Sequence, residues 1–220
     1  MKKAVIFDLD GTLLYTLGDL AFCTNSVLER YGYPVHAEEE YRWFVGDGAW
    51  NQVLRAMPLG TPEAEIRKVY EEYLALYARH ALDRTQPYDG IEALLSQLKA
   101  DGFALCVASN KPHARTQEVI RHFFPGIFDV VLGHREGMPV KPDPKIVWEA
   151  LTMLGTDVQA AFYAGDTATD VHTAHNAGVY CAGVLWGFRT REELVSAGAD
   201  VLCADPAALY NEIRRYFDRI

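Results

Sequence analysis

Apolar positions follow two rhythms along this chain. Short continuous apolar runs, each closed by charge, glycine or proline, fall at Lys3 to Asp8, Phe103 to Ser109, Asp129 to Leu132, Ala161 to Gly165 and Val179 to Val184. A weaker one spans Asp200 to Cys203. Runs of this length predict buried strands. Between them apolar residues recur at helical spacing. Ile91, Leu94, Leu95 and Leu98 share one face, as do Val119, Ile120 and Phe123. Ile146, Val147, Ala150, Leu151 and Leu154 form a third stripe, with Gly155 placed as its C-cap. Strand and helix in alternation predict an α/β fold, a Rossmann-like three-layer core around a mainly parallel sheet.

One interval breaks the alternation. Between the first and second strands lie roughly ninety residues, far more than one crossover helix needs. Leu17, Leu20, Ala21, Thr24, Val27, Leu28 and Tyr31 follow the helical period, and Ile66, Val69, Tyr70, Tyr73, Leu74 and Tyr77 do so again. Residues 15–86 therefore read as a small all-helical domain inserted after the first strand, and residues 1–14 with 87–220 as the α/β core. Pro87-Tyr88-Asp89-Gly90 marks the return to the sheet.

Composition narrows the partners. The 220 residues are half apolar and carry a net charge of −9, which argues against nucleic acid as the main partner. No stretch approaches the length of a membrane span. The apolar run before Asp8 is too short for a signal peptide. Cys23, Cys106, Cys181 and Cys203 include no CxxC pair and read as reduced, buried thiols, in keeping with a cytoplasmic protein. The sequence leaves monomer and homodimer both open.

In open α/β sheets ligands bind beyond the carboxyl ends of the strands. After the first strand stand Asp8, Leu9, Asp10, Gly11 and Thr12; after the second, Ser109, Asn110 and Lys111. Lys141 follows the third, and Asp166 and Asp170 follow the fourth. Several carboxylates on one sheet edge need a cation, and hard oxygen ligands in small number suit Mg²⁺. A hydroxyl, backbone amides and a lysine suit a phosphoryl group. A carboxylate can attack phosphorus, and a second can protonate the leaving oxygen and then activate water.

DLDGTL at Asp8 to Leu13, ASN at Ala108 to Asn110, Lys141 of KPDP, and GDTATD at Gly165 to Asp170 together resemble the four ordered motifs of haloacid dehalogenase-like hydrolases. The inserted helices resemble the cap that one branch carries after the first motif. Gly183 to Leu209 is similar to phosphoglycolate phosphatases and their near relatives. The resemblance implies a phosphatase of a small phosphorylated metabolite. In it Asp8 is the nucleophile and Asp10 the general acid and base. Mg²⁺ lies on the carboxylates of Asp8 and Asp166 and the backbone carbonyl of Asp10. Ser109, Asn110 and Lys141 bind the phosphoryl oxygens with the Gly11-Thr12 turn. Asp170 stands behind, reaching the metal through water or touching Lys141. A dehalogenase would need neither Mg²⁺ nor Asp10. A phosphosugar mutase, a pyrophosphatase and a non-catalytic phosphate-binding module are the other readings.

Outside the motifs, Tyr15 replaces an acid that the family often carries at the hinge into the cap. Lys111 reads as a solvated loop charge, and Arg42 and Arg55 as surface charges, with binding of a substrate carboxylate as their functional alternative. Trp43, Phe44, Tyr70, Tyr73 and Tyr77 read as cap core. The stretch Phe44 to Trp50 reads as a helix-helix turn capped by Asp47, with an anion-facing loop as its functional alternative. His172 and His175 lack the partners of a zinc site and read as helix surface.

Overall fold

The computed structural model describes residues 2–219. In chain order the elements are β1 (Ala4–Phe7), β2 (Leu14–Tyr15), α1 (Leu17–Arg30), α2 (Tyr41–Phe44), α3 (Ala49–Ala56), α4 (Glu63–His80), β3 (Gln86–Pro87), α5 (Ile91–Ala100), β4 (Ala104–Pro112), α6 (His113–Phe123), β5 (Val130–His134), α7 (Lys145–Leu154), β6 (Ala161–Gly165), α8 (Ala168–Ala177), β7 (Tyr180–Val184), α9 (Arg191–Ala197), β8 (Val201–Cys203) and α10 (Pro206–Phe217). Short 3₁₀ turns precede α2 and β6.

Six strands form one parallel sheet in the order β5-β4-β1-β6-β7-β8. Alternate residues of each strand feed opposite faces. Val5 and Phe7 join Leu94, Leu98, Leu105 and Ile213 under α5, α6 and α10. Ala4 and Ile6 join Cys106, Val147, Tyr163 and Val171 under α7, α8 and α9. The expected three layers follow. Each fully buried Leu, Ile or Phe contributes roughly 1.5–3 kcal/mol by leaving water. The four cysteines are buried free thiols. Among the described residues no helix is long and apolar enough to cross a membrane.

The sheet register places the site. Phe7 lies opposite Val107 on one side and Ala164 on the other. The residues just beyond, Asp8, Ser109 and Asp166, therefore emerge together at one edge. The second strand runs on past Ser109 to Pro112, with a register shift between Ala108 and Pro112. Lys111 is thus part of a strand and not of a loop.

Helices α1 to α4 have their own core, in which Leu28, Tyr41, Val53, Val69 and Tyr73 meet. They leave and re-enter the sheet domain through an antiparallel pair, Leu14 opposite Pro87 and Tyr15 opposite Gln86. Tyr15 packs edge-on against Tyr88 and Phe188 and donates a 2.7 Å hydrogen bond to Glu38. Trp43 departs from the expected cap core: it is 49% exposed, and the Arg189 guanidinium stands over its ring. Phe44 and Tyr70 are only half-buried, whereas Tyr73 and Tyr77 are buried as expected. Asp47 does not cap α3, whose N-cap is Gly48; its carboxylate reaches Thr169 and Arg55 instead.

Candidate active site

Asp8 follows the central strand, and its amide is fixed by a 3.0 Å bond to the Ala164 carbonyl. Lys141, 3% exposed, donates to Asp8 Oδ1 at 2.7 Å and to Asp170 Oδ1 at 2.7 Å. The same Nζ reaches the Ala108 carbonyl at 3.1 Å and the Tyr163 hydroxyl at 3.2 Å. A lysine this deep needs several acceptors, because removing an ammonium from water is costly. Burial alone would lower its pKa; Asp170 and Asp8 outweigh burial and raise it well above the usual range.

Asp166 is fully buried. It accepts from the Thr12 hydroxyl at 3.0 Å and from the Phe188 amide at 2.8 Å. Burial, then the charge of Asp170, raise its pKa to about 7. Two glycines give this carboxylate room. A Cβ on Gly11 would lie 2.3 Å from Asp166 Oδ2, and one on Gly187 would lie 2.2 Å from its Cβ. Gly11 also has φ +94, a backbone region that side chains rarely tolerate.

Asp170 is the third residue of α8 and closes its N-terminus. Its Oδ2 accepts from the Thr167 amide at 3.1 Å and hydroxyl at 2.7 Å, and the Thr167 hydroxyl accepts from the Asp170 amide. The other oxygen takes Lys141 and Tyr163. A first-turn helix acid and a lysine partner are therefore one residue here.

Oxygens of Asp8, Asp166 and Asp170 lie within 4.8 Å of one another, all buried. Burial, together with Asp170 and Asp166, pushes the Asp8 carboxyl up, and Lys141 only partly counters this. Three acids against one ammonium leave negative charge uncompensated in a dry site, and the donor set is hard oxygen throughout. That fits a hard divalent cation. The Asp10 side chain stands outside this cluster.

Asp10 instead takes both ends of a salt bridge from Lys111, at 2.8 and 3.0 Å. Lys111 is 6% exposed, so the expected solvated charge is overturned. It follows Ser109 by two residues in β4, and its amide donates to the Ser109 hydroxyl at 3.2 Å. Gly11 and Thr12 also depart from expectation. Their amides close the turn onto Leu14 and Leu9, and the Thr12 hydroxyl is spent on Asp166, so these donors brace the turn and Asp166. The Asn110 side chain is a brace too. It accepts from the Lys141 amide at 2.7 Å and donates to the Gly46 carbonyl of the cap at 3.0 Å.

Ser109 and Lys111 line a cavity of about 40 Å³ between core and cap, with Asp8 and Asp10 below and Gln52 and Tyr77 above. Arg42 is half-buried, and Arg55 is exposed and paired to Asp47. His172 is exposed and His175 bonds Asp200 at 3.1 Å. Sequence reasoning took Lys111 for a solvated charge and missed Tyr163 and the Trp186 to Phe188 loop. A polar tip on an otherwise apolar central strand was the available sign of Tyr163.

An enclosed carboxylate edge under a helical lid, on a parallel sheet, defines a class. The profile of haloacid dehalogenase-like hydrolases matches residues 5–184, and the chain belongs to that family. Within it the chain falls in the phosphoglycolate-phosphatase-like branch, among phosphomonoester hydrolases. It is 30% identical to the N-acetylmuramic acid 6-phosphate phosphatase of Pseudomonas aeruginosa, over 97% of this chain and 95% of that one. It is 28% identical to the phosphoglycolate phosphatase of Haemophilus influenzae, over 94% and 96%. A crystal structure from Lactobacillus delbrueckii subsp. bulgaricus, provisionally described as a phosphoglycolate phosphatase, superposes with a TM-score of 0.92 at 33% identity, covering 97% of this chain and 99% of that one.

Proposed function

We propose that the chain is a Mg²⁺-dependent phosphatase of small, phosphoglycolate-like monoesters, working through an aspartyl phosphate on Asp8. Residues 15–86 act as the cap, and 1–14 with 87–220 as the catalytic core. Asp8 carries the reading: it is a buried carboxylate, held by Lys141 through one oxygen, that faces a small cavity. The Asp8 and Asp166 carboxylates and the Asp10 carbonyl oxygen would hold Mg²⁺, which would supply positive charge for the phosphoryl oxygens.

Asp8 attacks phosphorus, and the ester P–O bond breaks. Asp10 gives its proton to the leaving oxygen. Asp10 then takes a proton from water, whose oxygen attacks the same phosphorus and breaks its bond to Asp8. Phosphate leaves, Asp8 is restored, and Asp10 again holds a proton. Ser109 donates to a phosphoryl oxygen, Lys141 keeps Asp8 aimed, and the cap excludes bulk water. The phosphoglycolate phosphatases among the relatives support a short substrate. The net charge of −9 argues against nucleic acid, and a small cytoplasmic metabolite fits these features.

Release of p-nitrophenol from its phosphate ester, with and without Mg²⁺, tests the reading. Release should require Mg²⁺, and Asp8→Asn should lose about a thousandfold or more in kcat. Full release by Asp8→Asn would overturn the mechanism.

A further inference from the structure

Two polar groups in the cavity have no part in that chemistry. Lys111 is buried, and its ammonium is 4.9 Å from the centre of the Tyr77 ring. Its only carboxylate partner among the described residues is Asp10. Tyr77 is 3% exposed, and its hydroxyl is buried without a hydrogen-bond partner. A buried hydroxyl left alone is costly, and one that lines a cavity invites a ligand acceptor.

The Lys111 pairing cannot persist unchanged through a reaction. Asp10 has to address the oxygen that leaves phosphorus, so Lys111 needs another anion in the same place. Ser109 and Lys111 line the same cavity, and the Lys111 amide donates to the Ser109 hydroxyl at 3.2 Å, so the two flank one ligand site. With Ser109 at the phosphoryl group, the anion recognised by Lys111 sits a few bonds further along the substrate. Asp8, Ser109 and Lys111 line one cavity, so the phosphoryl group and this anion share it.

We propose that Lys111 and the Tyr77 hydroxyl together bind a carboxylate on the alcohol part of the substrate, so that the enzyme selects phosphate esters of short hydroxy acids. This rests on the phosphatase reading above and adds the residues that set its specificity. Lys111 comes from the core and Tyr77 from the cap helix α4. A carboxylate between them ties cap to core only when the right substrate is present. The ring of Tyr77 holds the ammonium in place by cation–π attraction.

Binding separates recognition from turnover. In the Asp8→Asn protein with Mg²⁺, titration calorimetry compares 2-phosphoglycolate with ethyl phosphate, in which a methyl group replaces the carboxylate. The carboxylated ester should bind about tenfold tighter or more. Lys111→Met should bring that ratio close to one, and Tyr77→Phe should reduce it several-fold. Tyr77→Phe keeps the ring and removes only an unbonded hydroxyl, so it tests the idea even if Lys111→Met folds poorly. Equal binding of the two esters by the parent, or a ratio unchanged in both variants, overturns the proposal. The phosphatase reading fails separately: wild type then releases phosphate from neither ester while the binding preference stands. Equal kcat/KM on both esters keeps the phosphatase and sinks the recognition.

Discussion

Asp166 shows how one residue links stability to the cation. Its pKa is about 7 in the folded protein against an ordinary 3.8, chiefly through burial. The folded state therefore holds this proton more tightly than the unfolded state does. For such an acid the stabilisation is complete below the unfolded pKa and is lost as pH rises through the folded one. Asp8 is raised in the same direction. Metal-free protein should accordingly lose several degrees of melting temperature between about pH 5 and about pH 8. Mg²⁺ should restore more at the upper end, where the carboxylates are ionised. Melting in EDTA and in Mg²⁺ across this range checks both. A flat profile in EDTA would show that these acids are not held as the structure has them. Asp8 and Asp166 were legible in the sequence because each directly follows an apolar strand in a recognisable motif, and Lys141, in the loop between β5 and α7, because of the KPDP motif. Thr12 was assigned a ligand role it does not play, since nothing in DLDGTL says whether its hydroxyl faces outward or the neighbouring acid.

At the scale of elements, the join between core and cap rests on a fully buried acid. Asp19, in the first turn of α1, accepts from the Arg84 amide at 3.0 and 3.1 Å, the Thr85 amide at 2.9 Å and the Thr85 hydroxyl at 2.7 Å. Those donors lie just before β3, where the chain returns from the cap. One carboxylate thus ties the outgoing segment to the returning one. Asp19→Ala leaves buried amides without an acceptor and should cost about 2–3 kcal/mol in urea unfolding. A loss under about 0.5 kcal/mol would place the join elsewhere, in the β2–β3 pairing and the packing of Tyr15. The parallel strands and the stripes of α5, α6 and α7 were readable, because continuous apolar runs and the helical period are strong signals. The extension of β4 through Pro112 was not. Ser109, Asn110 and Lys111 are polar, and their strand geometry comes from pairing with β5 across a register shift. Asp10 and the Tyr77 ring of the cap complete the burial of Lys111. Helix α10 also went unread, though Asp205 caps it by accepting from the Ala208 amide at 2.8 Å and Pro206 opens it.

Across the whole molecule, the cap is fastened to the core over the cavity by three polar contacts that converge on one loop. Thr169 of α8 donates to Asp47 at 2.8 Å, Asn110 to the Gly46 carbonyl at 3.0 Å, and Arg189 to the Val45 carbonyl at 2.9 Å. All three receiving groups lie between α2 and α3, in the stretch where sequence left a plain turn and an anion-facing loop both open. The structure gives that stretch a closing role, which no local pattern could announce, because its partners are more than sixty residues away. Val45 anchors the loop in the cap core, and these three bonds join it to the sheet domain, so they should bias the cap toward its closed form. Thr169→Val removes the one that uses a charged acceptor, worth about 1–2 kcal/mol, and so should shift the balance about tenfold toward open. Thr169 lies outside the cavity lining, so chemistry at Asp8 in the closed form is untouched. Hydrogen exchange at the amides of Gly46 to Ala49 should quicken about tenfold, while amides of β1 and β6 keep their protection. kcat/KM should fall by up to a similar factor, since fewer molecules hold the closed form in which water is excluded. If loop exchange and kcat/KM both stay at wild-type values, closure is governed by apolar packing of the cap and not by this latch.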